Sequence, residues 1–249
     1  MQEKKITPKG VYILPNIFTL ASLFLAFIGM IQVIGNKFHI CALIILGSAV
    51  LDGLDGKIAR LTNTSSEFGV QLDSLVDLVA FGVTPAFLAW KFGLEQFGKL
   101  GICISFLFIA CTALRLARFN ISTSILCKKF FVGLPCPTGG CSLALFILFT
   151  PYLPNFFNKI LPHILLTLTF ILSLLMVSRI RYFSFKEYGF LKTHTFSSMV
   201  TALLLFVLLL SEPAVMGFIL CIIYLLSGPI YTYIFLPKRS YPLGKIDLL

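Results

Sequence analysis

Residues 51–77 read LDGLDGKIARLTNTSSEFGVQLDSLVD, and this stretch places Asp52, Asp55, Asp73 and Asp77 inside sequence that is otherwise apolar enough for a membrane. The whole chain of 249 residues has only ten acidic side chains, so four in one short window is a strong concentration. A carboxylate in a bilayer costs on the order of several kcal/mol unless something neutralises it. Four together also repel one another, so a divalent cation is the expected resident.

Asp52 and Asp55 are three apart and Asp73 and Asp77 four apart, so each pair shares a helical face. The polar run LTNTSS at 61–66 fits a turn between two helices. Folding about positions 64–65 brings Asp52 level with Asp77 and Asp55 level with Asp73. Two antiparallel helices then present all four carboxylates at one depth, about two turns from the helix ends. Such a cup of oxygen donors suits Mg²⁺ or Mn²⁺, as one ion or two. The acids alone also fit a salt-bridge network with Lys57, Arg60, Arg115 and Arg118, or a transporter's cation site.

Gly53, Gly56, Ala59 and Gly69 accompany the acids. Glycine weakens a helix by about 1 kcal/mol relative to alanine. Its repeated use here points to close approach, either by a bulky ligand or by a neighbouring helix packed on small residues. Arg60, at the helix end, either snorkels to the interface or meets a phosphate.

The rest of the chain supplies the setting. Hydrophobic residues make up 58% and charged residues 12%, with a mean hydropathy of +0.97. A soluble domain of this length has no means of covering so much apolar surface. Apolar segments recur at about 11–34, 38–61, 67–90, 98–118, 134–153, 160–178, 195–211 and 213–236, most of them near the 20 residues that cross a bilayer. The expected class is therefore an all-α polytopic membrane protein with about eight transmembrane helices. The Lys4, Lys5 and Lys9 cluster before the first segment resembles a leader peptide, but the apolar run lacks a small-residue cleavage site, so a retained span is expected.

A formal charge of +10 raises nucleic acid as a partner. The basic residues are instead spread thinly between spans, as topology signals and contacts for anionic lipid, and no nucleic-acid role follows. With the N-terminus inside, only Lys37, Lys91, Lys99 and Lys159 fall outside, which leaves 16 of the 20 on the inner side. Both ends and the aspartate cup then face the cytoplasm. The seven cysteines are odd in number and without CxxC spacing, consistent with apolar filler in a reducing compartment. His39, His163 and His194 lack ligand spacing.

Written as a pattern, residues 52–77 are D-x2-D-G-x2-A-R-x8-G-x3-D-x3-D, and this resembles the signature of the CDP-alcohol phosphotransferase family at every fixed position. The blocks ALRLARFN (113–120), FVGLPCPTGG (131–140) and LMVSRIRYFSFK (175–186) are similar to those of its membrane-integral bacterial phosphatidylserine synthase branch. PNIFTLAS (15–22) is similar to the family's first-helix motif, with Ser22 where relatives using other alcohols often have arginine. The resemblance covers about residues 12–190. It implies a six-helix catalytic core within 1–190, followed by a two-helix extension and tail at 191–249.

The implied reaction is transfer of a phosphatidyl group from CDP-diacylglycerol to L-serine, with release of CMP, at the cytoplasmic face of a bacterial inner membrane. The resemblance assigns Asp52, Asp55, Asp73 and Asp77 to two metal ions and makes Asp77 the general base. Gly56, Ala59, Arg60 and Gly69 would line the nucleotide and phosphate pocket. Within ALRLARFN, Arg115 and Arg118 either anchor the span or pair with the acceptor carboxylate, and Asn120 is placed to hydrogen-bond it. Ser178, Arg179 and Arg181 either complete that polar pocket or serve as anchors. A homodimer is implied by the resemblance alone. The same chemistry with inositol phosphate or glycerol 3-phosphate as acceptor is the nearest competitor, and a cation-coupled transporter is the competitor from another class.

Overall fold

The computed structural model describes residues 13–61, 67–122, 130–183 and 212–232. Its helices are α1 (Ile13–Ile34), α2 (Phe38–Leu61), α3 (Glu67–Asp77), α4 (Thr84–Phe92), α5 (Lys99–Ser122), α6 (Cys136–Phe149), α7 (Leu161–Val177) and α8 (Pro213–Ile230). Among the described residues, four helical stretches are long and apolar enough to cross a membrane: Asn16–Ile34, Glu67–Phe92, Lys99–Ile121 and Pro213–Ile230. Phe38–Leu54, Cys136–Tyr152 and Leu161–Val177 are shorter apolar helices. The expected spans thus reappear as helices, except 195–211, which lies outside the described residues.

The first turn shows how local sequence sets the hairpin. Asn36 takes the left-handed conformation (φ 56°), which asparagine tolerates better than most residues. Asn36 N–H then donates to Val33 O at 3.0 Å and Lys37 N–H to Gln32 O at 2.8 Å. This is a Schellman closure of α1, and it sends α2 back along α1.

The third span is one apolar stretch in sequence but three pieces in the fold. A π-helical segment, Leu78–Val83, joins α3 to α4. Its cause lies in the next two residues. Pro85 has no N–H and leaves the Phe81 carbonyl without its usual helical donor. Thr84 reaches back five residues with its N–H to Val79 O, and its Oγ1 also donates to Val79 O at 3.0 Å. A Cβ added at Gly140 of α6 would lie 2.9 Å from Phe81 O. Glycine there lets the α6 backbone come directly against the bulge. The extra residue rotates α3 relative to α4 by roughly 100° compared with an unbroken helix.

The core lies where the third span, α5, α6 and α7 meet, around Phe81, Leu88, Phe108, Leu143, Ile147, Leu172 and Met176, all fully or almost fully buried. Phe24, Phe27, Phe106 and Ile223 are exposed instead, as lipid-facing side chains are, because hydrocarbon solvates them as well as protein does. One feature has no mark in the residue pattern, a two-stranded antiparallel ribbon pairing β1 (Phe130–Val132) with β2 (Arg181–Phe183). It closes the ends of α5 and α7, on the side of the aspartates.

Candidate active site

Asp52 comes from α2, and Asp73 and Asp77 from α3. One carboxylate oxygen from each lies within 4.8 Å of the others, and all three side chains are half-buried. The Asp55 side chain lies outside the described residues, as do those of Ala59 and Arg60.

The expected hairpin needs one correction. α3 does not pack along α2 at this level; it lies against α1, and the third span meets α2 chiefly through α4. The two acid-bearing helices therefore diverge from a closely packed pair and face each other across a cleft. On α2, a Cβ at Gly53 or Gly56 would meet nothing within 4 Å. Neither glycine is pressed against the backbone of another described helix.

The donor set fits a divalent ion. Three hard carboxylate oxygens converge, and Mg²⁺ or Mn²⁺ takes such ligands at roughly 2.1 Å, with waters or phosphate completing an octahedron. A spread of 4.8 Å is of the size spanned by one ion after slight closure, or by two ions about 3.5–4 Å apart.

The opposite wall comes from α5. Arg115 is buried, with Nη1 donating to Cys136 Sγ at 3.1 Å, and its Nε makes no hydrogen bond. A thiol is a weak acceptor, so this guanidinium keeps donor capacity for an anion. Arg118 Nη1 donates to Val177 O at 3.1 Å and Nη2 to Ser178 O at 3.3 Å. A cation there meets the negative end of α7. Asn120 Nδ2 donates to Ser74 Oγ at 3.0 Å, tying α5 to the helix of Asp73 and Asp77.

Two residues in this region had no assigned role in the sequence. Cys136 is buried and accepts from Arg115 Nη1 at 3.1 Å; its only signal was membership of FVGLPCPTGG. Gly133 (φ 81°) follows β1, where a Cβ would lie 2.9 Å from Arg118 Nη2 and 3.2 Å from Ser178 O. Glycine is required there twice over, by conformation and by space.

Residues 12–175 match the profile of the CDP-alcohol phosphatidyltransferase family. The chain belongs to this family. It is also similar to proteins named CDP-diacylglycerol–serine O-phosphatidyltransferase. One, from Helicobacter pylori, is 39% identical over 177 residues, which is 71% of this chain and 74% of that protein. A second, from Methanocaldococcus jannaschii, is 39% identical over 155 residues, covering 62% and 67%. A third, from Bacillus subtilis, is 35% identical over 177 residues, covering 71% and 93%. Members of the CDP-alcohol phosphatidyltransferase family generally use divalent metals, in keeping with the carboxylate cluster. Membership makes the chain a transferase and sets the transporter reading aside.

Proposed function

We propose that this enzyme transfers the phosphatidyl group of CDP-diacylglycerol to the hydroxyl of L-serine, giving phosphatidylserine and CMP. The carrying observation is the convergence of Asp52, Asp73 and Asp77 beside the open face of α2, in a chain whose relatives share one enzymatic name. Asp52, Asp55, Asp73 and Asp77 would hold two ions, Mg²⁺ or Mn²⁺. When bound, such ions neutralise the pyrophosphate charge that opposes attack.

The chain's own residues supply the rest. Gly56, Ala59, Arg60 and Gly69 receive the cytidine and phosphates, Gly56 by leaving open space beside α2. Arg115 and Arg118, with Asn120, receive the carboxylate of serine. Asp77 accepts the proton of the serine hydroxyl as its oxygen bonds to the phosphorus that carries diacylglycerol. The bond from that phosphorus to the bridging oxygen breaks, and the electron pair leaves with CMP. A positioned base contributes about 10²–10⁴-fold to such a step.

The catalytic unit is assigned to residues 1–190 and the extension to 191–249. The lipid donor stays in the bilayer while serine arrives from water, so the cleft belongs at headgroup level, on the cytoplasmic side of a bacterial inner membrane by the distribution of basic residues. We place the enzyme there as a homodimer. The test is CMP release by the purified protein with CDP-diacylglycerol and Mn²⁺ or Mg²⁺. Release on adding serine is the expected result; release with glycerol 3-phosphate or inositol phosphate, and none with serine, refutes the acceptor.

A further inference from the structure

α8 lies beyond the residues matched to the family, 12–175, and most of its surface is apolar and exposed. Its inward face is different in kind. Cys221, Tyr224, Leu225 and Gly228 fall three, four and seven residues along, on a single face. Cys221 Sγ lies 2.9 Å from Ser142 Oγ of α6. Tyr224 packs on Tyr182 of β2 at 5.5 Å between ring centroids. Tyr182 donates to Leu225 O at 3.4 Å. Gly228 forms a notch for that ring, since any Cβ there would run into Tyr182.

Tyr182 is fully buried and among the largest side chains so enclosed. Its strand leads straight back to the acceptor side of the cleft. Gly133 N–H donates to Ile180 O at 2.8 Å and Leu134 N–H to Leu175 O at 3.1 Å. Between these bonds lie Val177 and Ser178, whose carbonyls hold Arg118. A bulky aromatic locked into a glycine notch fixes the ribbon, and the ribbon fixes the carbonyls that aim the arginine.

We propose that α8 is a positioning element for the acceptor side of the active site, acting through Tyr182 seated in the Gly228 notch. The kinetic part rests on the assignment of Arg118 to the acceptor. Gly228→Ala drives a methyl into the ring and should loosen the ribbon, seen as faster amide hydrogen exchange at Gly133 and Leu134. It should raise the serine KM about fivefold or more, with the CDP-diacylglycerol KM within about twofold. Tyr182→Leu added to Gly228→Ala, which exchanges ring volume for the methyl, should restore both readouts. Tyr182→Leu alone, which empties the notch without a clash, should loosen the same amides if Gly228→Ala does not fold.

Unchanged exchange at Gly133 and Leu134 overturns the proposal. So does a Gly228→Ala enzyme with a normal serine KM when Arg118→Ala raises it. If Gly228→Ala moves both exchange and serine KM while Arg118→Ala leaves serine KM alone, the positioning role stands and the assignment of Arg118 falls.

Discussion

Asn120 donates through Nδ2 to Ser74 Oγ at 3.0 Å, and Ser74 Oγ donates in turn to Val70 O at 3.1 Å. This links the end of α5 to the turn of α3 between Asp73 and Asp77. Asn120 thus ties α5, which carries the proposed acceptor residues, to the helix of Asp73 and Asp77, and its removal should be felt on both. Asn120→Ala is expected to lower kcat about fivefold, the size of one lost partly buried hydrogen bond. It should also raise the Mn²⁺ concentration needed for half-maximal rate. A changed serine KM with an unchanged metal requirement would restrict Asn120 to the acceptor.

Asp77→Asn keeps the shape of the side chain and removes its basicity. Turnover should fall by about 10²-fold or more, while CDP-diacylglycerol binding, followed by protection against thermal unfolding, stays largely intact. A near-normal rate would take the base assignment away from Asp77. Asp52→Asn should instead weaken the response to added metal.

The two kinds of glycine should behave oppositely. Gly140 faces the Phe81 carbonyl across a backbone contact, so Gly140→Ala should destabilise the detergent-solubilised protein by about 1–3 kcal/mol, measured as a lowered Tm. Gly56→Ala meets open space and gains helix propensity of about 1 kcal/mol. It should leave Tm unchanged or raised and still impair use of CDP-diacylglycerol. A Gly56→Ala enzyme with normal kinetics would remove that glycine from the donor pocket.

Arg118→Ala should raise the serine KM more than that of CDP-diacylglycerol. It also frees the carbonyls of Val177 and Ser178, so Tm should fall too. Arg118→Lys restores a charge at the end of α7 but not the two-pronged contact, and should recover Tm more fully than serine KM. Equal recovery of both would mean that the guanidinium only anchors α7.

Chelation with EDTA should abolish CMP release, and Mg²⁺ or Mn²⁺ should restore it. Persistence of full activity after exhaustive chelation would rule out a metal role for the carboxylates.

Much of this was legible before any fold was known. Pattern, charge and breakers marked the spans, and the set spacing of Asp52, Asp73 and Asp77 announced a shared site. The hairpin argument brings Asp52 level with Asp77, and their carboxylates do converge; that α3 packs on α1 rather than on α2 has no mark in the local sequence. Local sequence offers Arg118 as an anchor or a carboxylate partner and Asn120 as a hydrogen-bonding group, while their bonds to Ser178 and Ser74 join elements distant in sequence. The Leu78–Val83 bulge was also hidden: Pro85 was visible, but a proline in a span kinks, ends or widens a helix according to what receives the freed carbonyl.

The sequence by itself determined that the protein is helical and membrane-spanning, which residues carry its charge within the apolar stretches, and which family it belongs to. The first two follow from local periodicity and from the cost of burying charge, the family from the fixed spacing of the 52–77 motif, and none of them depends on a partner elsewhere in the chain. Tertiary structure alone decided that α3 rests on α1 and leaves a cleft beside α2. It also set Gly140 against the Phe81 carbonyl and seated Tyr182 against Gly228. In a bilayer, apolar faces gain little by choosing one another, because lipid serves each equally well. Close backbone fits and interhelical hydrogen bonds make the choice, and those exist only once distant segments meet.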